Sequence, residues 1–159
     1  MTDKSHSILD RTGLDLSRAT GLVSDALQGA DDGELYLEYS QSEGLVFDNG
    51  RLKSASFDTN QGFGLRAVSG EAAGYAHSGE ISESAIKRAA DAVQAVKSGH
   101  TGTYADGPQG TNRSLYSDES PLGAPSIGDK VKLLDEIDAY ARQTDDKVRQ
   151  VTASLAGSY

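Results

Sequence analysis

Three histidines and no cysteine bound the metal chemistry open to this 159-residue chain. A catalytic zinc usually takes three protein ligands from His, Cys, Asp or Glu and keeps one position open. His6, His77 and His100 are too far apart for any two to lie on adjacent turns of one helix. No metal ligand and no catalytic or cofactor-binding residue is expected here. His77 comes closest to a general base. However, local spacing gives it no Ser, Cys or carboxylate partner, so it reads as a surface histidine at a strand end.

Gly62-x-Gly64-x-x-Ala67 has the spacing of a dinucleotide-binding turn. That motif works only where a strand runs into a helix whose amino end holds pyrophosphate. Here Val68-Ser69-Gly70-Glu71 and a second strand-like run follow, so the expectation is a glycine-rich strand. The acids Glu34, Glu38, Glu43, Asp31 and Asp32 have no spacing that fixes a catalytic pair. They read as solvated positions, and Asp145-Asp146 as a turn.

The elements that would carry these residues are legible in outline. Asp15 caps a helix over residues 16–28, with Leu16, Ala19, Leu22, Val23, Ala26 and Leu27 as its stripe and Gly29 as its stop. Glu34–Ser40 alternates as a half-buried strand. Leu45–Phe47 and Arg51–Phe57 flank Asp48-Asn49-Gly50, where Asn-Gly signals a type I′ hairpin. Asp48 and Arg51 would close that loop as an ion pair. Gln61–His77 forms another hairpin around Ser69-Gly70, with Leu65 facing Gly74 and Gly64 facing Tyr75. Four or five consecutive antiparallel strands result.

A helix capped by Ser82 then buries Ala85, Ile86, Ala89, Val93 and Val96, and Gly99 ends it. All three prolines lie between residues 99 and 126, a stretch that reads as a linker. Ser126 and Asp129 open a last helix that buries Val131, Leu134, Ile137, Tyr140 and Ala141. Val148–Tyr159 alternates as a strand with no following sequence to pair it. The fold class is α+β: an antiparallel meander flanked by helices, then a linker and the first helix and strand of a second domain. The expected boundaries are a mobile tail at 1–14, an amino-terminal domain at 15–98, a linker at 99–126 and a truncated second domain at 127–159. An open sheet edge could also take up an extended peptide through main-chain hydrogen bonds.

The run QGFGLRAVSGEAAGYA (Gln61–Ala76) and the run VTASLAGSY (Val151–Tyr159) resemble the TldD/PmbA metallopeptidase family, on its TldD side. Weaker likeness extends through most of Leu14–Tyr159. The resemblance implies a zinc metallopeptidase that hydrolyses peptides and unfolded segments and works beside a PmbA-like (TldE-like) paralogous subunit. The family's helical HExxxH zinc motif does not occur in these 159 residues. The resemblance therefore implies scaffold, substrate-channel or subunit-interface surface, with zinc supplied elsewhere and no activity in the isolated chain. The alternative is a non-catalytic binding or regulatory module.

The formal net charge of −9 argues against a nucleic-acid partner, because phosphate neutralisation needs a basic stripe and the 15 Lys and Arg are scattered. No run approaches the ~20 apolar residues of a membrane span. The first ten residues hold no secretory core. A cytoplasmic setting is expected.

Overall fold

The computed structural model describes residues 8–9, 13–94 and 119–159. Helix α1 spans Leu16–Leu27. The Asp15 side chain accepts from the Arg18 amide at 2.6 Å, which satisfies an amide the helix leaves free. Gly29, at φ +84°, turns the chain away from the helix. Helix α2 spans Glu83–Val93, and Ser82 caps it by accepting from the Ala85 amide. Helix α3 spans Ile127–Thr144 and begins with the expected capping box, Ser126 and Asp129 each satisfying the other's amide. Val96 and Gly99, assigned to the end of the second helix, lie outside the described residues.

The strands are longer than their sequence signals. Strand β1 runs unbroken over Asp32–Asp48 and β2 over Leu52–Ser69, followed by β3 (Ala72–Ser78) and β4 (Thr152–Ser158). The polar stretches Gln41–Gly44 and Asp58–Asn60, expected to separate strands, continue the ladder instead. A polar side chain breaks a strand only where the backbone also turns, and neither stretch turns. The four strands form one sheet in the order β3-β2-β1-β4.

At the first hairpin Asn49 and Gly50 both take positive φ, 50° and 73°, as a type I′ turn requires. Asp48 and Arg51 exchange backbone hydrogen bonds across it at 2.8 and 3.3 Å. The expected Asp48–Arg51 ion pair does not form. The Asp48 carboxylate instead accepts from Gln150, Thr152 and Lys53, and these bonds lower its pKa.

The loop of the second hairpin sits one residue further along than expected, which moves every cross-strand partner by two and keeps each side chain on its expected face. Ser69 faces Ala72 and the loop is Gly70-Glu71. Gly70, at φ +60°, holds the first loop position, where a type II′ turn needs glycine. Gly64 therefore faces His77, and Ala67 faces Gly74. Tyr75 still lies over Gly64, but along the diagonal: a Cβ at Gly64 would stand 2.5 Å from the Tyr75 hydroxyl.

The chain divides into two compact units, Met1–Tyr39 with Asn60–Ser117, and Ser40–Thr59 with Asp118–Tyr159. In the first, α1 and α2 supply Leu22, Ala26, Ile86, Ala89 and Val93 to a core completed by Phe63, Leu65 and Ala67 of β2. Ile8, Leu9 and Leu14, from the segment expected to be a mobile tail, pack against that core. In the second, Leu134 of α3 meets Leu45 and Phe47 of β1, with Val131, Ala153 and Leu155 around them. The strand expected to lack a neighbour has one, since β4 pairs antiparallel with β1 from Ser42↔Ser158 to Asp48↔Thr152. Ile137 and Tyr140, expected to be buried, are exposed; Lys130 and Asp138 take the inward positions with Leu134. Leu122, from the stretch read as linker, is buried in this unit.

Candidate functional site

In the first unit the strands alternate cleanly. Leu35 and Leu37 of β1, with Phe63, Leu65 and Ala67 of β2, belong to the core beneath the helices. The intervening residues make the opposite face. On it, Tyr36, Glu38, Gly62, Gly64, Tyr75 and His77 line an open depression of about 290 Å³. Gly62 lies in its floor, and Gly64, with no side chain, lets the Tyr75 ring settle on the strand beside it. A Cβ at Gly62 would meet the Ser78 carbonyl oxygen at 2.8 Å.

The walls are aromatic and acidic. Tyr75 stacks on His77 with ring centroids 5.9 Å apart and planes inclined by 28°. The Tyr36 hydroxyl donates to the Glu38 carboxylate at 2.8 Å, and this bond pushes the phenol above its ordinary pKa. Tyr36 is 59% exposed and Tyr75 67%. Arg66, on the same face, is already held by Glu34 at 2.9 Å and Asp32 at 3.1 Å. Among the described residues, no Lys or Arg pairs with Glu38.

The residues singled out from sequence are thus distributed rather than assembled. Gly62, Gly64 and Ala67 sit inside β2, and β3 follows them where a dinucleotide site needs a helix. His77 lies in β3 beside Tyr75, and among the described residues no nucleophile or carboxylate is bonded to it. Glu34, Glu38 and Glu43 have separate partners, namely Arg66, Tyr36 and Lys130. Asp31 accepts from the Gly70 amide at 2.6 Å and so fixes the second hairpin. Asp145 accepts from the Lys147 amide in a local turn. His6 and His100 lie outside the described residues.

Among the described residues, no group of three or more His, Cys, Asp or Glu could hold a metal ion. Their donor set does not fit a zinc site. No helix among them is long and apolar enough to cross a membrane.

Sequence reasoning missed two arrangements. The first is the pairing of Tyr36 with Glu38 beside Tyr75. Its signal was available, since Glu34, Tyr36 and Glu38 alternate with Leu35 and Leu37 in the sequence. The second is in the other unit. The Lys130 ammonium, 5% exposed, donates to Glu43 at 2.5 Å and to the Leu122 carbonyl at 2.6 Å. Glu43 stands 87 residues from Lys130, and no local pattern links them.

Residues 33–97 match PmbA/TldA metallopeptidase domain 1. A metalloprotease TldD homolog of Haemophilus influenzae is 33% identical over 133 residues, which are 81% of this chain and 27% of that protein. The corresponding homolog of Buchnera aphidicola subsp. Schizaphis graminum is 31% identical with the same coverage. The chain thus spans about a quarter of the length of these relatives. Among solved structures, a Bacteroides thetaiotaomicron protein provisionally described as a modulator of DNA gyrase superposes with a TM-score of 0.65 at 12% identity. The match covers 96% of this chain and 35% of that one. TldE from Thermococcus kodakarensis gives a TM-score of 0.53 at 15% identity, over 88% of this chain and 33% of its own. At these identities the structural likeness speaks to the fold.

Proposed function

Because its residues 33–97 make this chain a member of the PmbA/TldD metallopeptidase family, we propose that it is a non-catalytic part of a zinc metallopeptidase acting on peptides or unfolded protein segments. Its contribution is scaffold and a surface for the substrate channel or for a TldE-like paralogous subunit, in the cytoplasm. The domain match carries this reading. It is supported by strand β2, where every residue from Leu52 to Thr59 is exposed, Leu52 and Phe57 among them. Partners in β3 begin only at Phe63, so among the described residues this stretch has β1 on one side and no strand on the other. Unpaired strand edges with apolar side chains are surfaces that proteins normally cover.

Zinc and its activated water belong, in this reading, to residues beyond these 159. The test is metal analysis of the dialysed chain together with a fluorogenic peptide assay, alone and with the rest of a family member and its TldE-like partner supplied. The chain alone should hold no stoichiometric zinc and cleave nothing, and the assembled protein should cleave in a chelator-sensitive way. One tight zinc per isolated chain, or an assembled protein that never cleaves, would overturn the reading; the latter result would favour a binding or regulatory module.

A further inference from the structure

From the sheet face of the first unit, we infer a binding site for a guanidinium or ammonium group, seated in the depression at Gly62, against the Tyr36 and Tyr75 rings and facing the Glu38 carboxylate. It is independent of whether the assembled protein hydrolyses peptides.

Three features select a cation. The first is the floor. Gly62 has no side chain to cover the sheet, Gly64 lets the Tyr75 ring lie down on the strand, and the depression of about 290 Å³ beside that ring has room for a planar headgroup. The second is the walls. Tyr36 and Tyr75 are both largely exposed, though aromatic rings of this size usually bury most of their area. Aromatic faces attract cations through the ring quadrupole, and Arg and Lys are the usual protein ligands. The third is charge. Arg66, a cation on this face, is occupied by Glu34 and Asp32. Among the described residues Glu38 meets only the Tyr36 hydroxyl, which uses one of several acceptor sites on the carboxylate and leaves room for a bidentate donor. Tyr36 is held by that bond, and Tyr75 rests against the His77 ring, so both aromatic rings line the depression in the free protein.

An anion is disfavoured by Glu38. A purely apolar ligand would leave the carboxylate capped without a partner. The headgroup chemistry is common to a basic side chain in a peptide and to a small free amine, and the experiment separates them.

The probes are a blocked glycine pentapeptide with a central arginine, the same peptide with citrulline in its place, and agmatine. Binding is followed by the ring resonances of Tyr36, Tyr75 and His77. The arginine peptide should give saturable shifts, and citrulline should bind at least about tenfold more weakly. Glu38→Gln and Tyr75→Leu should each weaken the arginine peptide by about tenfold, while Tyr75→Phe keeps the ring and stays within about threefold. Thermal melts check that each variant is folded; if Tyr75→Leu is not, Glu38→Gln and Tyr75→Phe still decide. Agmatine binding as well as the peptide assigns the site to free amines, and much weaker agmatine binding assigns it to basic side chains of peptides. No saturable shift, equal binding of citrulline, or indifference to Glu38→Gln overturns the site.

Discussion

Arg142 donates to the side-chain oxygen of Asn49 at 2.7 Å while its Nε holds Asp138 at 2.8 Å. Helix α3 thereby grips the tip of the β1–β2 hairpin within the second unit. The Arg142 bond holds the Asp138 carboxyl below its usual range. Asn49 also receives the Val151 amide at its side chain and donates its own amide to the Val151 carbonyl at 3.0 Å. One turn residue therefore links hairpin, helix and β4.

Two variants separate backbone strain from this network. A Cβ at Gly50 would meet nothing within 4 Å, so Gly50→Val acts through its φ of +73° alone. It should cost about 1–3 kcal/mol, because a β-branched residue is strained there. Arg142→Ala leaves the turn's dihedrals intact but frees Asn49 and Asp138, and should lower the urea midpoint as well. The two should fall short of additive, since both loosen the same turn. An unchanged midpoint for Gly50→Val would falsify the strained-turn assignment.

Lys130 and Glu43 form a buried pair, 5% and 11% exposed, beneath Leu122. Gly157 faces Glu43 across the ladder. A Cβ there would press on Leu122 at 2.8 Å and on the Glu43 carboxylate at 3.3 Å, so the glycine makes room for both. Lys130→Met should cost about 3–5 kcal/mol, because it strands Glu43 without a partner. The double variant Lys130→Met with Glu43→Gln should recover much of that loss. If Lys130→Met alone melts like the parent, the pair is not buried in solution.

Glycines in β2 differ in what they protect. At Gly62 a Cβ would strike backbone, the Ser78 carbonyl at 2.8 Å, whereas at Gly64 it would strike the far end of an exposed Tyr75. Gly62→Ala should therefore destabilise by about 1–3 kcal/mol, the usual range for overpacking. Gly64→Ala should mainly swing Tyr75 outward. Tyr75 ring shifts with little change in melting for Gly64→Ala, against a clear melting loss for Gly62→Ala, are the expected pattern. The reverse order would mean that the tyrosine is locked over the strand.

Local patterns carried the helices and the first turn because they depend on neighbours in sequence. Asp15, Ser82 and Ser126 each cap the helix that follows by accepting from the amide three residues ahead, and Asn49-Gly50 sets its own dihedrals. Local spacing puts the second hairpin's loop one residue early and its cross-strand pairs two residues out, because Ser69-Gly70 and Gly70-Glu71 are both acceptable loops. Asp31, which binds the Gly70 amide from 39 residues away, is a contact that local spacing does not reveal. The inward face of α3 failed similarly. Its apolar positions Ile137 and Tyr140 pointed one way, but Lys130 turns inward to Glu43, and Asp138 turns to the Gly50 backbone at the hairpin. The glycines of the candidate site were visible in sequence, but the depression at Gly62 beside Tyr36 and Tyr75 emerges only once three strands lie side by side.

Arg18 and Glu83 join α1 to α2 through a two-point pair, with Arg18 Nε at 2.9 Å from the carboxylate, and Lys87 adds a contact at 2.6 Å. These bonds, Arg18's foremost, lower the Glu83 pKa from 4.5 to about 2. A carboxylate with a depressed folded pKa stabilises the fold above its unfolded value and loses that contribution as pH falls through the folded one. The link should thus be complete above about pH 4.5 and gone near pH 2. Acid melts of the parent and Glu83→Gln should differ at neutral pH and converge across this window. A gap that stays constant over it would show that Glu83 titrates normally. The pair is partly exposed, so added salt should narrow the gap.

The β1–β4 ladder fixes which amides of β4 can be shielded. Gln41 and Tyr159 exchange both backbone bonds at 2.9 Å, and Asn49 donates to Val151 at 3.0 Å at the other end. In an antiparallel pair, hydrogen-bonded and non-hydrogen-bonded positions alternate. With Leu45 opposite Leu155, the amides of Ala153, Leu155, Gly157 and Tyr159 point to β1, and those of Ser154, Ala156 and Ser158 point to the outer edge of the sheet. Amide exchange should therefore be slow at the first set and fast at the second. Uniformly fast exchange would mean that β4 frays from β1, despite the burial of Leu45 and Phe47 against Leu134 beside it. Uniformly slow exchange, falling away on dilution, would mean that another chain covers this edge. Size-exclusion chromatography with light scattering at the same concentrations would then show a dimer in place of a monomer.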